Sequence, residues 1–266
     1  MDFISKLQKK WTENKFVCIG LDPVSEKLPR GVNNFFEFNK EIVDATGDLV
    51  AAYKPNSAFY EALGVKGIEQ LQKTTEYIKS KYPEIVVILD AKRADIGNTN
   101  EGYVKFAFDY LYSDAITVHP YLGREALEPF LQKKDKGVFV LCRTSNPGAG
   151  EFQDILSNDI PLYQAVAQKV SVNWNQNGNV GLVVGATYPE ELLKVRNIDG
   201  SIPILIPGVG AQGGDVEETV KAVQKNFLIS SSRGIIFASN GEDFAAAAKA
   251  EAEKLHNQIG QSLATL

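Results

Sequence analysis

The 266-residue chain is poor in cysteine: it has only Cys18 and Cys142, each inside an apolar run. Two such residues exclude a disulfide scaffold and offer no metal-ligand spacing, so both read as small buried hydrophobes. No apolar run approaches the ~18 residues that a membrane span requires. The opening stretch MDFISKLQKKWTENK alternates charged and apolar residues like a first helix and lacks a secretory apolar core, so a cytoplasmic location is expected. A basic block is also missing and the formal net charge is -5, which argues against nucleic acid as a partner. A small anionic ligand stays open, because a few cations and backbone N–H groups suffice to hold a phosphate. Nothing marks a linker: there is no low-complexity tract, charge block or shift in composition. The first apolar run is not followed by the G-x-G-x-x-G of a dinucleotide-binding sheet.

What is present is an ordinary globular balance, 44% hydrophobic and 23% charged, with short apolar runs that recur at intervals. They fall at 16–22 (FVCIGLD), 49–56 (LVAAYKPN), 85–92 (IVVILDAK), 115–120 (AITVHP), 137–144 (GVFVLCRT), 180–186 (VGLVVGA), 203–208 (PILIPG) and 227–233 (FLISSSR). Helix-prone segments at 33–46, 67–81, 98–112, 123–134, 162–175, 189–196, 214–225 and 242–259 separate or follow them. Strands that are apolar throughout and alternate with helices predict a parallel sheet covered on both faces. Eight of each in a chain of this length favour an α/β fold of the closed (β/α)8 type (a TIM barrel), one domain over 1–266, over an open doubly-wound sheet, which the count alone also allows.

Polar residues gather at one end of these runs. Asp22 closes the first, Lys54 and Asn56 the second, Asp90 and Lys92 the third, and His119 the fourth; Ser145 follows the fifth and Arg233 closes the eighth. Any one of them alone is accounted for as a strand-end residue meeting water. In a parallel barrel, however, these ends converge on one mouth, where such barrels carry out their chemistry. Alternation along the third run puts Val86, Ile88, Asp90 and Lys92 on the inner face, with Val87, Leu89 and Ala91 toward the helices. Arg93 then faces outward as a structural ion-pair partner. Asp95 lies past the strand, able to turn back to Lys92 or to meet a neighbouring subunit. Asn98 or Thr99 is expected to cap the next helix. Lys54, Asp90, Lys92 and Asp95 would form an array in which each charge stays ionised while partly desolvated.

Two loops add to this. PGVGAQGGD (207–215) after the seventh run leads into a helix N-terminus, and SSSRG (230–234) follows the eighth. Together they suit the phosphate cradle of such barrels, with Arg233 supplying a charge-assisted contact. RTSNPGAGEF (143–152) has the Pro and Gly content of a mobile lid or a plain loop, and its Ser145 has a hydroxyl to offer a ligand base or Gln212.

These residues resemble the orotidine 5'-phosphate decarboxylase family. Asp90-Ala-Lys92-Arg-Ala-Asp95-Ile96-Gly-Asn-Thr99 matches its D-x-K-x-x-D-I-x-x-T signature; GLDP around Asp22, YKPN around Lys54, TSNPGA around Ser145, PGVGAQGGD around Gln212 and SSR ending at Arg233 match further along. The match follows strand order along essentially the whole chain and is closest to the family's longer subgroup. One position departs: Ser232 stands where many relatives carry glycine. The resemblance implies decarboxylation of orotidine 5'-phosphate to uridine 5'-phosphate, the last step of pyrimidine nucleotide synthesis, without a metal or organic cofactor. It makes Lys92 the proton donor to C6, sets Asp90 near the substrate carboxylate, and gives Lys54 and Asp95 the task of holding the charges. It also places Asp22 and Lys54 on the ribose and Ser145 and Gln212 over base and phosphate. Arg233 falls on the phosphate, and Ile96 and Pro207 are further substrate contacts. Asp95 and Thr99 would reach the other subunit's site, making the enzyme a homodimer. Two other readings are a Mg²⁺-dependent sugar-phosphate lyase or aldolase of the same superfamily and a non-catalytic phosphate-binding barrel. The first usually brings Glu where this chain has Lys54; the second has no use for a proton donor.

Overall fold

In a computed structural model, residues 1–209 and 214–266 are described. Eight parallel strands close a barrel: β1 (Val17–Leu21), β2 (Val50–Pro55), β3 (Val86–Arg93), β4 (Ala115–Val118), β5 (Gly137–Arg143), β6 (Val180–Val184), β7 (Ile204–Pro207) and β8 (Phe227–Ser231). Each pairs with its neighbour in sequence, and β8 returns to β1 through Val17↔Ile229 and Cys18↔Ser230. Every expected apolar run is a strand. The helices are α1 (Phe3–Thr12), α2 (Phe35–Thr46), α3 (Val65–Lys81), α4 (Gly97–Val104), α5 (Gly123–Leu131), α6 (Leu162–Lys169), α7 (Pro189–Ile198), α8 (Val216–Val223) and α9 (Phe244–Leu263). The single helices expected at 98–112 and 162–175 are each two pieces, since α4 and α6 continue as wider π-helical turns, Lys105–Tyr110 and Val170–Trp174. No helix among the described residues is long and apolar enough to cross a membrane.

Period-2 alternation divides the buried side chains into two cores. Cys18, Ala51, Val86, Ile88, Ala115, Phe139, Val183, Leu205 and Leu228 fill the barrel, and Phe3 and Leu7 of α1 close its floor. Val87 and Leu89 belong instead to the layer between strands and helices. Missing side chains make the floor fit. A Cβ on Gly181 would stand 2.6 Å from the Phe139 ring, and one on Gly137 would stand 2.6 Å from Phe3. Phe3 meets Phe139 edge to face with centroids 5.6 Å apart. Emptying the fully buried Phe139 position would cost about 3–5 kcal/mol. Burial pushes the thiols of Cys18 and Cys142 up to about 12, which makes both inert at neutral pH.

Candidate active site

The cavity at the C-terminal ends of the strands, about 430 Å³, is lined by Lys54, Asp90, Lys92, Thr117, Thr144, Ser145, Asn146, Gln153 and Pro207, over an apolar base of Leu141, Val183 and Leu205. Asp90 is its electrostatic centre. Its Oδ2 accepts from Lys54 Nζ at 2.9 Å, and its Oδ1 accepts from Lys92 Nζ at 2.7 Å and from Thr117 Oγ1 at 2.8 Å. Asp90 and Lys54 are buried, whereas the Lys92 side chain is 48% exposed toward the opening. Burial alone would raise the Asp90 carboxyl, yet Lys54 and Lys92 outweigh it and hold the group well below the usual carboxylate range. Burial would lower Lys54, but Asp90 and then Asp22 hold its ammonium above the ordinary lysine value. The Asp90 carboxylate and the Lys54 ammonium therefore both stay charged at neutral pH.

β3 does not reach this arrangement as a regular strand. Its register with β4 shifts between Leu89 and Arg93, and Lys92 has φ 47°, a left-handed conformation that costs a non-glycine residue about 1–2 kcal/mol. The Lys92 N–H donates to Thr117 Oγ1 at 3.0 Å inside that irregular stretch. Arg93 points outward as expected, paired with Glu61 and lying 5.2 Å over the Tyr103 ring.

Asp22, at the end of β1, accepts from the Asn56 N–H at 3.2 Å and from Ser232 Oγ at 2.7 Å. Asn56 caps the short helix Ser57–Glu61 and bridges in parallel to Asp90, so the ends of β1, β2 and β3 are tied together. Ser232 is accommodated because Gly20 is bare; a Cβ there would stand 2.6 Å from the Ser232 Cβ. Arg233 opens a short helix, Arg233–Ile236, and is exposed. Asp215 is the N-cap of α8, accepting from the Glu218 N–H at 2.9 Å. Gln212 lies outside the described residues.

Asp95 is half-buried on the rim and is not brought to Lys92 within the chain. Its backbone N–H and carbonyl are held by Asn100, and its Oδ1 accepts from the Ile96 N–H at 2.7 Å. Ile96 and Thr99 are exposed. Neither Asn98 nor Thr99 caps α4; Ile96 is the N-cap, because the Asp95–Asn100 clasp starts the helix one residue ahead of Asn98. His119 lines a separate apolar groove of about 710 Å³ between α5, β5 and α6 and is not among the residues lining the cavity at the mouth, since β4 ends at Val118 and strict alternation stops there.

The loop after β5 is stitched down instead of hanging as a bare glycine-rich lid. Gln153 accepts from the Thr144 N–H and donates to Thr144 Oγ1, both at 2.8 Å. Buried Arg143 donates to Asp154 at 3.1 Å and stacks 4.3 Å over the Tyr188 ring. Thr117, Thr144, Asn146 and Gln153 are lining residues that sequence reasoning missed. Only Thr117 carried a signal, as a polar residue on the inward parity of an otherwise apolar strand. Among the described residues, no group of three or more His, Cys, Asp or Glu side chains could hold a metal ion.

A closed parallel barrel whose charges meet where its strands end, over a cavity of this size, defines a (β/α)8-barrel enzyme. Comparison with known proteins narrows that class. The chain belongs to the Orotidine 5'-phosphate decarboxylase / HUMPS family, whose sequence profile matches residues 15–250. It is 48% identical to the orotidine 5'-phosphate decarboxylase of Cellvibrio japonicus, over 97% of this chain and 98% of that protein. Among solved structures, Leishmania donovani OMP decarboxylase aligns with a TM-score of 0.85 and 37% identity, covering 98% of this chain and 100% of that one. Leishmania donovani UMP synthase aligns at 0.86 and 40% identity, with 97% of this chain spanning 56% of the longer protein.

Proposed function

We propose that this chain decarboxylates orotidine 5'-phosphate to uridine 5'-phosphate, with Lys92 as the proton donor. The observation that carries this reading is the Lys54–Asp90–Lys92 set: one buried carboxylate held between two ammonium groups, one of which opens into the cavity. In the reaction the C6–carboxylate bond breaks, carbon dioxide leaves, and the electron pair stays on C6. No ring substituent delocalises that pair, so an ammonium fixed beside C6 stabilises the charge as it develops. Lys92 then transfers a proton from Nζ to C6 and is reprotonated from water. Asp90 aims the Lys92 ammonium, and Lys54 keeps Asp90 ionised. Ser145 and Pro207, on the cavity wall, are assigned to the base, and Lys54 of that wall, together with Asp22, to the ribose. Arg233 and Gln212 are assigned to the phosphoryl group, whose binding energy helps hold the reacting ring in place.

The same reading includes a homodimer. Asp95, Ile96 and Thr99 would complete the partner's site, which gives a use to rim residues that meet nothing catalytic in their own chain. The loops after β3, β4 and β5 expose Ile96, Tyr121, Leu122, Phe152, Ile155 and Leu156, an apolar margin suited to burial against a second copy. The reading also treats 1–266 as one catalytic domain that works without a cofactor. The test is an absorbance assay with orotidine 5'-phosphate, run beside Lys92→Ala and after chelator treatment. Turnover by the wild type that survives the chelator and falls at least about 10³-fold in the variant is expected. No wild-type turnover, or equal rates, overturns the mechanism. For the shared site, mixing Lys92→Ala with Asp95→Ala chains should restore activity; verified heterodimers without rescue remove that part.

A further inference from the structure

The left-handed backbone of Lys92 and the orientation of Asp90 share one support. Thr117, 1% exposed on β4, accepts the Lys92 N–H at 3.0 Å and donates its own proton to Asp90 Oδ1 at 2.8 Å. Lys92 Nζ rests on that same Oδ1 at 2.7 Å. The contacts close a ring: main chain of Lys92, hydroxyl of Thr117, carboxylate of Asp90, ammonium of Lys92. A hydroxyl is suited to this place because it accepts along one direction and donates along another. An apolar side chain of equal shape would leave the Lys92 N–H in the irregular part of β3 without this acceptor and remove one of the three donors on Asp90. Simple packing does not require the polar atom, since the neighbouring inward positions Ala115, Ile88 and Val86 are apolar.

We infer that Thr117 is a positioning residue for the proton transfer: it holds Lys92 in its φ 47° conformation and fixes the carboxylate oxygen against which the ammonium rests, without touching the reacting atoms. This rests on the reading of Lys92 as proton donor. Displacing a reacting group by about 1 Å can cost about 10²-fold in rate while leaving remote binding contacts in place. Removing the hydroxyl should therefore lower kcat much more than it weakens ligand binding.

The experiment compares wild type, Thr117→Val, Thr117→Ala and Thr117→Ser. It measures kcat and KM for orotidine 5'-phosphate, Kd for uridine 5'-phosphate, and hydrogen exchange of the Lys92 amide. Thr117→Val should lose about 10–100-fold in kcat, with Kd changed by less than about threefold, and Thr117→Ser should stay within about threefold of wild type in both. The Lys92 amide should exchange at least about tenfold faster in Thr117→Val than in wild type or Thr117→Ser. If Thr117→Val fails to fold, Thr117→Ala set against Thr117→Ser gives the same contrast. An unchanged kcat, equal losses in kcat and in product affinity, or no rescue by serine overturns the inference. A wild type that does not turn over the substrate overturns the proposed function instead, and the amide exchange then decides alone whether Thr117 holds the Lys92 backbone.

Discussion

The barrel carries the same charge pattern twice, once at each end. At the mouth, Asp90 lies between Lys54 and Lys92; at the floor, Asp114 lies between Lys6 of α1 and Lys79 of α3, at 2.9 and 2.6 Å. Both carboxylates are buried. They differ in what is left over. Both floor lysines converge on Oδ1, and Oδ2 is taken by the Val87 N–H at 2.9 Å, so Asp114 serves as a clamp between α1, α3 and β3. At the mouth each oxygen takes a different ammonium, and Lys92 keeps donor capacity directed into a cavity. The electrostatics diverge as well. Burial, reinforced by the like charge of Lys79, holds Lys6 below the ordinary lysine value against the pull of Asp114. Lys54, equally buried, is held above it by two carboxylates. A Lys–Asp–Lys set is therefore not a site by composition; a free donor facing open space makes it one.

Neutralising each carboxylate in turn separates the two ends. Asp90→Asn should lower kcat by at least about 10³-fold, because Lys92 loses the partner that aims it, and should also lower the melting temperature, because the buried Lys54 ammonium loses its ion pair. Asp114→Asn should cost stability alone, about 3–5 kcal/mol from leaving two ammonium groups uncompensated, while turnover per folded molecule stays unchanged. Kinetics and calorimetry on both variants decide the matter. Lost turnover in Asp114→Asn well below its melting point would erase the distinction. A smaller effect is in the alkaline pH dependence. A lysine raised on folding stabilises fully below its unfolded value of about 10.4, and that contribution falls as pH climbs toward its folded value. One that is lowered does the opposite, gaining as pH passes its folded value. As pH rises above about 10.4 the stability difference between wild type and Lys54→Met should shrink, whereas on the approach to that pH from below the difference between wild type and Lys6→Met should grow in favour of wild type. Parallel slopes would show that the two ends are electrostatically alike.

The mouth was far more legible in the sequence than the floor. All eight strands could be read, because strands buried on two faces are apolar throughout, and Asp22, Lys54, Asp90 and Lys92 stood out as charges ending such runs. Asp114 sits ahead of its strand, where an acidic residue looks like any loop residue, and Lys6 and Lys79 are two among many helix lysines. Only the packing of α1 and α3 brings them together. At the mouth, too, alternation paired Asp90 with Lys92 correctly although β3 is irregular there, because the left-handed turn at Lys92 returns the side chain to the same cavity. His119 shows the limit of that rule, since one residue past the strand the parity no longer held. The contacts of Gln153 and Arg143 depend on how a loop folds back on itself, which periodicity does not encode.

Asp22, the other carboxylate at the mouth, provides the finest test of the comparison. It has no ion pair within 4 Å among the described residues, and its oxygens are held by the Asn56 N–H and the Ser232 hydroxyl. The short contact from Ser232 is charge-assisted, and removing it frees Asp22 to rotate without exposing a buried charge, since Asp22 is only half-buried. Ser232→Ala should therefore act on ligand binding and hardly on folding: a rise in KM of about three- to tenfold, kcat within about twofold, and a melting temperature within about 2 °C. The double variant Ser232→Ala with Asp22→Asn should be no worse than Asp22→Asn alone, because the hydroxyl acts through that carboxylate. Additive losses would mean that Ser232 works by some route other than Asp22, and a large fall in melting temperature would make this corner of the mouth a clamp like the floor.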